Sequence, residues 1–128
     1  MAGPTTVDEY IAGFPPDVAQ RLQRIREVIV AAVESGSGAA PEQKIRYGIA
    51  AVMLDGRYAL HFAGWKKHIG LYPVPTLEEP LQSELAPYRA AKDSVIFPHS
   101  QPVSDELIRR VAEEIVAQRV AATNDSQH

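Results

Sequence analysis

The chain has 128 residues, 45% of them hydrophobic, with 16 acidic and 13 basic side chains and a formal charge of -3. That is the size of one domain with enough apolar material for its own core, so residues 1–128 are read as a single unit. The absence of cysteine excludes disulfides, thiolate metal sites and cysteine nucleophiles, and the net acidic balance argues against a general nucleic-acid binder.

Thr6 and Glu9 are spaced as a capping box and predict a short helix over residues 7–12. Gly13 and Pro15 end it, and Pro16 suits the first turn of a second helix. There Val18, Leu22, Ile25, Ile29 and Val33 recur at helical spacing and form one apolar stripe. Arg21, Arg24, Arg26 and Glu27 occupy the other face. Residues 34–41 are rich in Gly, Ser and Ala and read as a mobile loop.

From Gln43 the period changes to two, with Ile45, Tyr47 and Ile49 alternating against Lys44, Arg46 and Gly48, followed by an apolar run over residues 50–54. That run is a candidate sheet edge if nothing covers it. Asp55-Gly56 signals a hairpin, with a returning strand over 57–63, a turn over 64–67 and a further strand over 68–72 that Pro73 and Pro75 stop. A short helix is expected over 79–86, with Pro80 in its first turn, then a strand over 94–97 closed by Pro98. Ser104 caps a final helix whose buried stripe is Leu107, Ile108, Val111, Ile115 and Val120. A frayed tail is expected over 123–128. The sum is an α+β domain: a curved antiparallel sheet of about five strands packed in two layers against N-terminal and C-terminal helices. No stretch is apolar for the roughly 20 residues of a membrane helix, and the first residues lack a signal peptide. The expectation is a soluble cytoplasmic protein that does not bind membranes.

Residues 58–75 hold most of the chemistry. Alternation puts Tyr58, Leu60 and Phe62 on one side and Ala59, His61 and Ala63 on the other; His68, Gly70 and Tyr72 share a side opposite Ile69 and Leu71. With the bulky side toward the helices, small Ala59, Ala63 and Gly70 would leave a shallow concavity beside His61, His68 and Tyr72, with Tyr47 and Lys92 at its rim. The candidate ligand site is therefore Tyr47, Trp65, Lys66, Lys67, His68, Tyr72 and Lys92, suited to a small anionic or aromatic ligand or a protein partner. His61 and His68 raise a metal reading that their spacing, which matches no ligand pattern, and their lysine neighbours disfavour, so metal ligands are left unassigned. The single aromatic–basic loop Trp65-Lys66-Lys67 does not make a nucleic-acid surface. Ser94, His99 and Ser100 lie close in sequence without a third catalytic partner, and no complete catalytic motif occurs. The chain reads as a binding domain more than as an enzyme, with no catalytic residue named; an unrecognised enzyme using the same pocket is the third reading, and the chain is read as a monomer or homodimer.

Several segments carry a family resemblance: Val7-Asp8-Glu9-Tyr10-Ile11, Phe14-Pro15-Pro16, Ile45-Arg46-Tyr47-Gly48, residues 62–73 (Phe-Ala-Gly-Trp-Lys-Lys-His-Ile-Gly-Leu-Tyr-Pro) and residues 94–98 (Ser-Val-Ile-Phe-Pro). In this order, with the last helix, they cover nearly the whole chain. It resembles the YdhG-like family of small bacterial domains of unknown function, some of whose members are described as frataxin-like iron chaperones. The resemblance implies the same α+β fold and, as an alternative function, iron binding or delivery through surface carboxylates. Iron is the one cofactor it implies, and the residues themselves imply none. Relatives often continue Tyr-Gly with Met-Pro-Ala-Phe; here the run is Ile49-Ala50-Ala51-Val52, and residues 35–40 look like added loop.

Overall fold

The chain was analysed as a computed structural model that describes residues 3–101 and 104–125. Helix α1, Val7–Ala12, starts where Thr6 accepts a hydrogen bond from the Glu9 amide. The Glu9 carboxylate returns to Thr5, whose amide and hydroxyl both donate to it, and not to Thr6 as a strict capping box requires. Helix α2, Pro16–Ser37, buries Leu22, Ile25, Ile29, Ala32 and Val33. It runs on through residues 34–37, where composition predicts loop, and ends at Gly38 in the left-handed conformation. Packing explains the extension: Gly36 lies so close to Val116 that a β-carbon would collide with it. Tertiary contact here outweighs the poor helix propensity of Ser and Gly.

The six-stranded antiparallel sheet comprises β1 (Gln43–Arg46), β2 (Ile49–Leu54), β3 (Arg57–Gly64), β4 (His68–Tyr72), β5 (Arg89–Ala91) and β6 (Ser94–Pro98). Its order is β1-β2-β3-β4-β6-β5. Between β4 and β5 lie helix α3, Leu81–Leu85, and a 3-10 turn, Ala86–Tyr88. The last helix, α4, spans Asp105–Asp125, so helix continues into the stretch expected to fray; residues 126–128 lie outside the described residues. Ser104 caps α4 by accepting from the Leu107 amide. Helices α2 and α4 lie side by side and point the same way, since Arg24 pairs with Asp105 and, further along both, Gly36 abuts Val116.

One apolar core fills the space between this helix layer and the sheet. Phe62, Leu60, Leu71, Ile69, Val95 and Phe97 from the strands meet Leu22, Ile25, Ile29, Ile108, Val111 and Ile115 from the helices. The apolar run at 50–54 is not an edge, because β1 covers it; the edges are the short β1 and β5. No described helix is long and apolar enough to cross a membrane.

Two local features reset the sequence register. The period-two run from Gln43 is broken by a tight turn at Tyr47-Gly48, where both residues have positive φ (55° and 77°) and Arg46 pairs with Ile49. Two such residues between paired strands make a type I′ hairpin, which favours Asn-Gly or Gly-Gly. Gly48 adopts that conformation freely; a tyrosine at the first position costs about 1–2 kcal/mol. The second feature is a bulge in β3. Val52 pairs with Leu60 but Met53 pairs with Tyr58, leaving Ala59 as the extra residue. Ala59 therefore joins the core beside Leu60, and Tyr58 moves to the face of His61, contrary to simple alternation.

Candidate functional site

The sheet face away from the helices is built by the residues that alternate with the core set. Cross-strand pairing puts Ala51 beside His61, His61 beside Tyr72, and Ala63 beside Gly70. The expected concavity over the small residues does not form. Ala59 has left this face, and the Tyr72 ring lies across Gly70, where a β-carbon would collide with its hydroxyl. The Tyr72 hydroxyl in turn accepts a hydrogen bond from Trp65 Nε1 at 2.9 Å. Tyr72 and Trp65 thus join opposite ends of β4 through side chains.

Tyr47 hangs from the β1–β2 turn, 85% exposed. Its ring centroid is 6.1 Å from that of His61, and Tyr58 lies 5.2 Å from the same imidazole. The Arg46 guanidinium sits over both tyrosines, 5.2 Å from the Tyr47 ring and 5.3 Å from Tyr58, and Arg119 of α4 reaches within 4.6 Å of the Tyr58 ring. Cation–aromatic attraction helps hold these groups together. Trp65, 46% exposed, neighbours His68 with ring centroids 6.4 Å apart, while Lys66 and Lys67 are exposed on the same loop.

His61 is the centre of this face and is only 5% exposed. Its Nδ1 is 3.2 Å from the carbonyl oxygen of Tyr72. A carbonyl only accepts, so Nδ1 carries the proton and Nε2 the lone pair. Nε2 is buried and has no hydrogen-bond partner among the described residues. Burial pushes the imidazole below its ordinary pKa of 6.5, and positive Arg46 and Arg119 push the same way, against the hydrogen bond to Tyr72.

Of the residues singled out in the sequence, Tyr47, Trp65, His68 and Tyr72 share the sheet-face strip, and Lys66 and Lys67 border it. Lys92 is not part of this grouping. It lies in the β5–β6 turn, next to Asp93, whose carbonyl accepts from the Val74 amide. That turn lies at the β5 edge of the sheet, opposite the β1 edge whose turn carries Tyr47. Arg46, Tyr58 and His61 complete the strip, and sequence spacing did not select them for ligand contact. The bulge that turns Tyr58 around has no signature in the sequence. Arg46 could have been found only by recognising the Tyr47-Gly48 turn.

The β3–β4 loop is anchored from behind. His99 Nε2 donates to the Trp65 carbonyl at 2.8 Å, its Nδ1 accepts from Arg21 Nη1 at 2.9 Å, and the His99 amide donates to the Lys67 carbonyl. These bonds occupy both ring nitrogens, so His99 serves as a loop anchor.

Two connected grooves run along the outer surface of α2 and α4, of about 480 and 380 Å³. Small residues floor them, including Ala32, Ser35 and Gly36, and Arg24, Asp105, Arg109 and Glu113 form part of their rim. Several carboxylates are engaged there and nearby: Asp8 with Arg26, Asp105 with Arg24, Glu106 and Glu113 with Arg109, and Glu84 of α3 with Arg110. Among the described residues, no three His, Asp or Glu side chains come together as a metal site.

No family sequence model and no curated protein sequence matches the chain. A crystal structure from Bacillus subtilis, of the YdhG protein of the DUF1801 family, superposes on it with a TM-score of 0.70, covering 90% of this chain and 91% of that one, at 17% sequence identity. The two chains share helices flanking an antiparallel sheet over nearly their whole length, and this protein therefore has the fold of that DUF1801-family structure.

Proposed function

We propose that this chain is a small binding domain that takes a flat, anionic aromatic ligand on the sheet face between Tyr47 and Trp65. The observation that carries this reading is the combination of two large aromatic rings left in solvent with a buried imidazole on which Arg46 and Arg119 act. Tyr47 and Trp65 are the large hydrophobic side chains exposed among the described residues, and Arg46, Arg119, Lys66 and Lys67 supply positive charge along the same strip. Aromatic rings provide stacking area at small entropic cost, and guanidinium or ammonium groups orient an anion. The face is a surface strip with its small-residue hollow filled by Tyr72, a shape that suits reversible binding better than enclosed chemistry. Iron delivery, which the family resemblance raises, gains little from the terminal-helix carboxylates, because arginines pair with Asp8, Asp105, Glu106 and Glu113.

Trp65 is the only tryptophan, so its fluorescence reports on this strip alone. Titration with a panel of aromatic carboxylates is expected to give a saturable change that Tyr47→Ser weakens several-fold. A panel that produces no saturable change rejects the reading.

A further inference from the structure

Resting on that reading, we propose that His61 is its recognition residue: Nε2 accepts a hydrogen bond from an N–H or O–H that the ligand carries beside its anionic group, with Tyr47 as a hinged cover over the bound ring. The class is narrower than an aromatic anion. It is a planar acid with a donor, such as a heteroaromatic N–H, adjacent to the carboxylate.

Three independent observations meet at this point. The first is the lone pair. Nδ1 is committed to the Tyr72 carbonyl, so Nε2 is an acceptor, and it is buried without a partner among the described residues. Buried polar atoms are rarely left unpaired, and each exception calls for a reason; a donor brought by a ligand is one. The second is the cover. Tyr47 occupies a turn position that asparagine or glycine would fill without strain, and it spends that strain on holding a ring in solvent beside His61. Neither burial nor turn preference accounts for a tyrosine there. An exposed side chain changes rotamer within nanoseconds, so Tyr47 can swing away from the imidazole beside it and close again over a ligand. The third is charge. Arg46 stands over the Tyr47 and Tyr58 rings that flank the imidazole, and Arg119 approaches Tyr58 from α4. The charges that act on His61 from both directions are positive. They keep the imidazole neutral, which preserves the acceptor, and they favour a ligand whose charge is negative. A donor on the ligand then meets the one acceptor, and its carboxylate meets Arg46.

The test uses two ligands of nearly equal shape. Indole-2-carboxylate has an N–H beside its carboxylate; benzofuran-2-carboxylate has a ring oxygen in that place. The full chain is titrated with each, with Trp65 fluorescence for affinity and nitrogen-15 shifts of the His61 ring for the contact. The expected result is that the indole acid binds about tenfold or more tightly than the benzofuran acid, and that it alone moves the Nε2 resonance. His61→Phe, which keeps a flat ring and removes the acceptor, is expected to erase the difference between the two. Thermal melting checks that this variant folds; should it not, the ligand pair on the unaltered chain decides the matter. Equal affinities, or an unmoved Nε2 resonance on binding, overturn the role of His61 while leaving the sheet-face reading intact. Binding of neither acid at residues 46–72 overturns both.

Discussion

The Tyr47 ring stands 6.1 Å from the buried imidazole of His61 and is itself 85% exposed, held there by a backbone with φ of 55°. The strained residue and the unsatisfied residue are therefore neighbours, though fourteen positions separate them in the chain, and each gives a reason for the other.

The first consequence is a trade between stability and binding. Tyr47→Asn installs the Asn-Gly pair that a type I′ turn prefers. Relief of the left-handed tyrosine outweighs its exposed contact with Arg46, worth about 0.5 kcal/mol. The variant is expected to gain about 0.5–1 kcal/mol in urea unfolding and to lose affinity for aromatic carboxylates. A variant that is destabilised, or that binds unchanged, contradicts the assignment of Tyr47.

His61 gives the protein a sensitivity to mild acid. Its folded pKa lies below the 6.5 of the free group, chiefly through burial. Between the lowered value and 6.5 the unfolded chain binds the proton and the folded chain resists it. Stability is therefore full above pH 6.5 and falls as pH drops through that window. Thermal melts from pH 7.5 to 5 are expected to show a steeper loss for the unaltered chain than for His61→Gln. Parallel slopes would remove His61 as the cause.

Gly70 is a position where a single methyl group has a specific optical consequence. A β-carbon there would collide with the Tyr72 hydroxyl, which holds Trp65 Nε1. Gly70→Ala is expected to lift the Tyr72 ring, release the indole and destabilise the domain by about 1–3 kcal/mol. Tyr72→Phe isolates the hydrogen bond: the indole N–H proton resonance should move upfield with the fold intact. An unmoved indole resonance in both variants contradicts the Tyr72–Trp65 link.

His99 fixes the β3–β4 loop from the helix side through the Trp65 carbonyl and Arg21. His99→Ala is expected to cost about 1–2 kcal/mol and to accelerate amide exchange at residues 65–68. Arg21→Ala, which leaves the bond to Trp65, should give a smaller effect on both measures. Equal exchange rates in all three proteins would show that the loop is held by its strands alone.

Much of the architecture could be read from local signals because local chemistry decides it. Thr6, Pro16 and Ser104 start helices by satisfying or omitting end amides, and Asp55-Gly56 turns where its two positive φ angles require. The apolar stripe of α2 came through nearly whole. Features imposed by tertiary contact stayed hidden. Residues 34–37 are helical because α4 packs on Gly36. Strand β5 is three residues, Arg89–Ala91, with no alternation of its own and β6 as its partner. The bulge at Ala59 turned Tyr58 to the other face. For the site, alternation was enough to place His61 and Tyr72 on one face, and composition to mark the Trp65 loop. The hydrogen bonds that make His61 an acceptor and His99 an anchor join residues distant in sequence, so no spacing announces them.

The most direct test of the account is amide chemical-shift mapping of the full chain with indole-2-carboxylate, because it asks where a ligand goes without assuming a site. The account expects saturable shifts at Arg46, Tyr47, Tyr58, His61, Trp65 and Tyr72. Shifts confined to the α2–α4 groove, at residues such as Ala32, Ser35, Val116 and Ala117, would contradict it and place binding on the opposite layer of the fold.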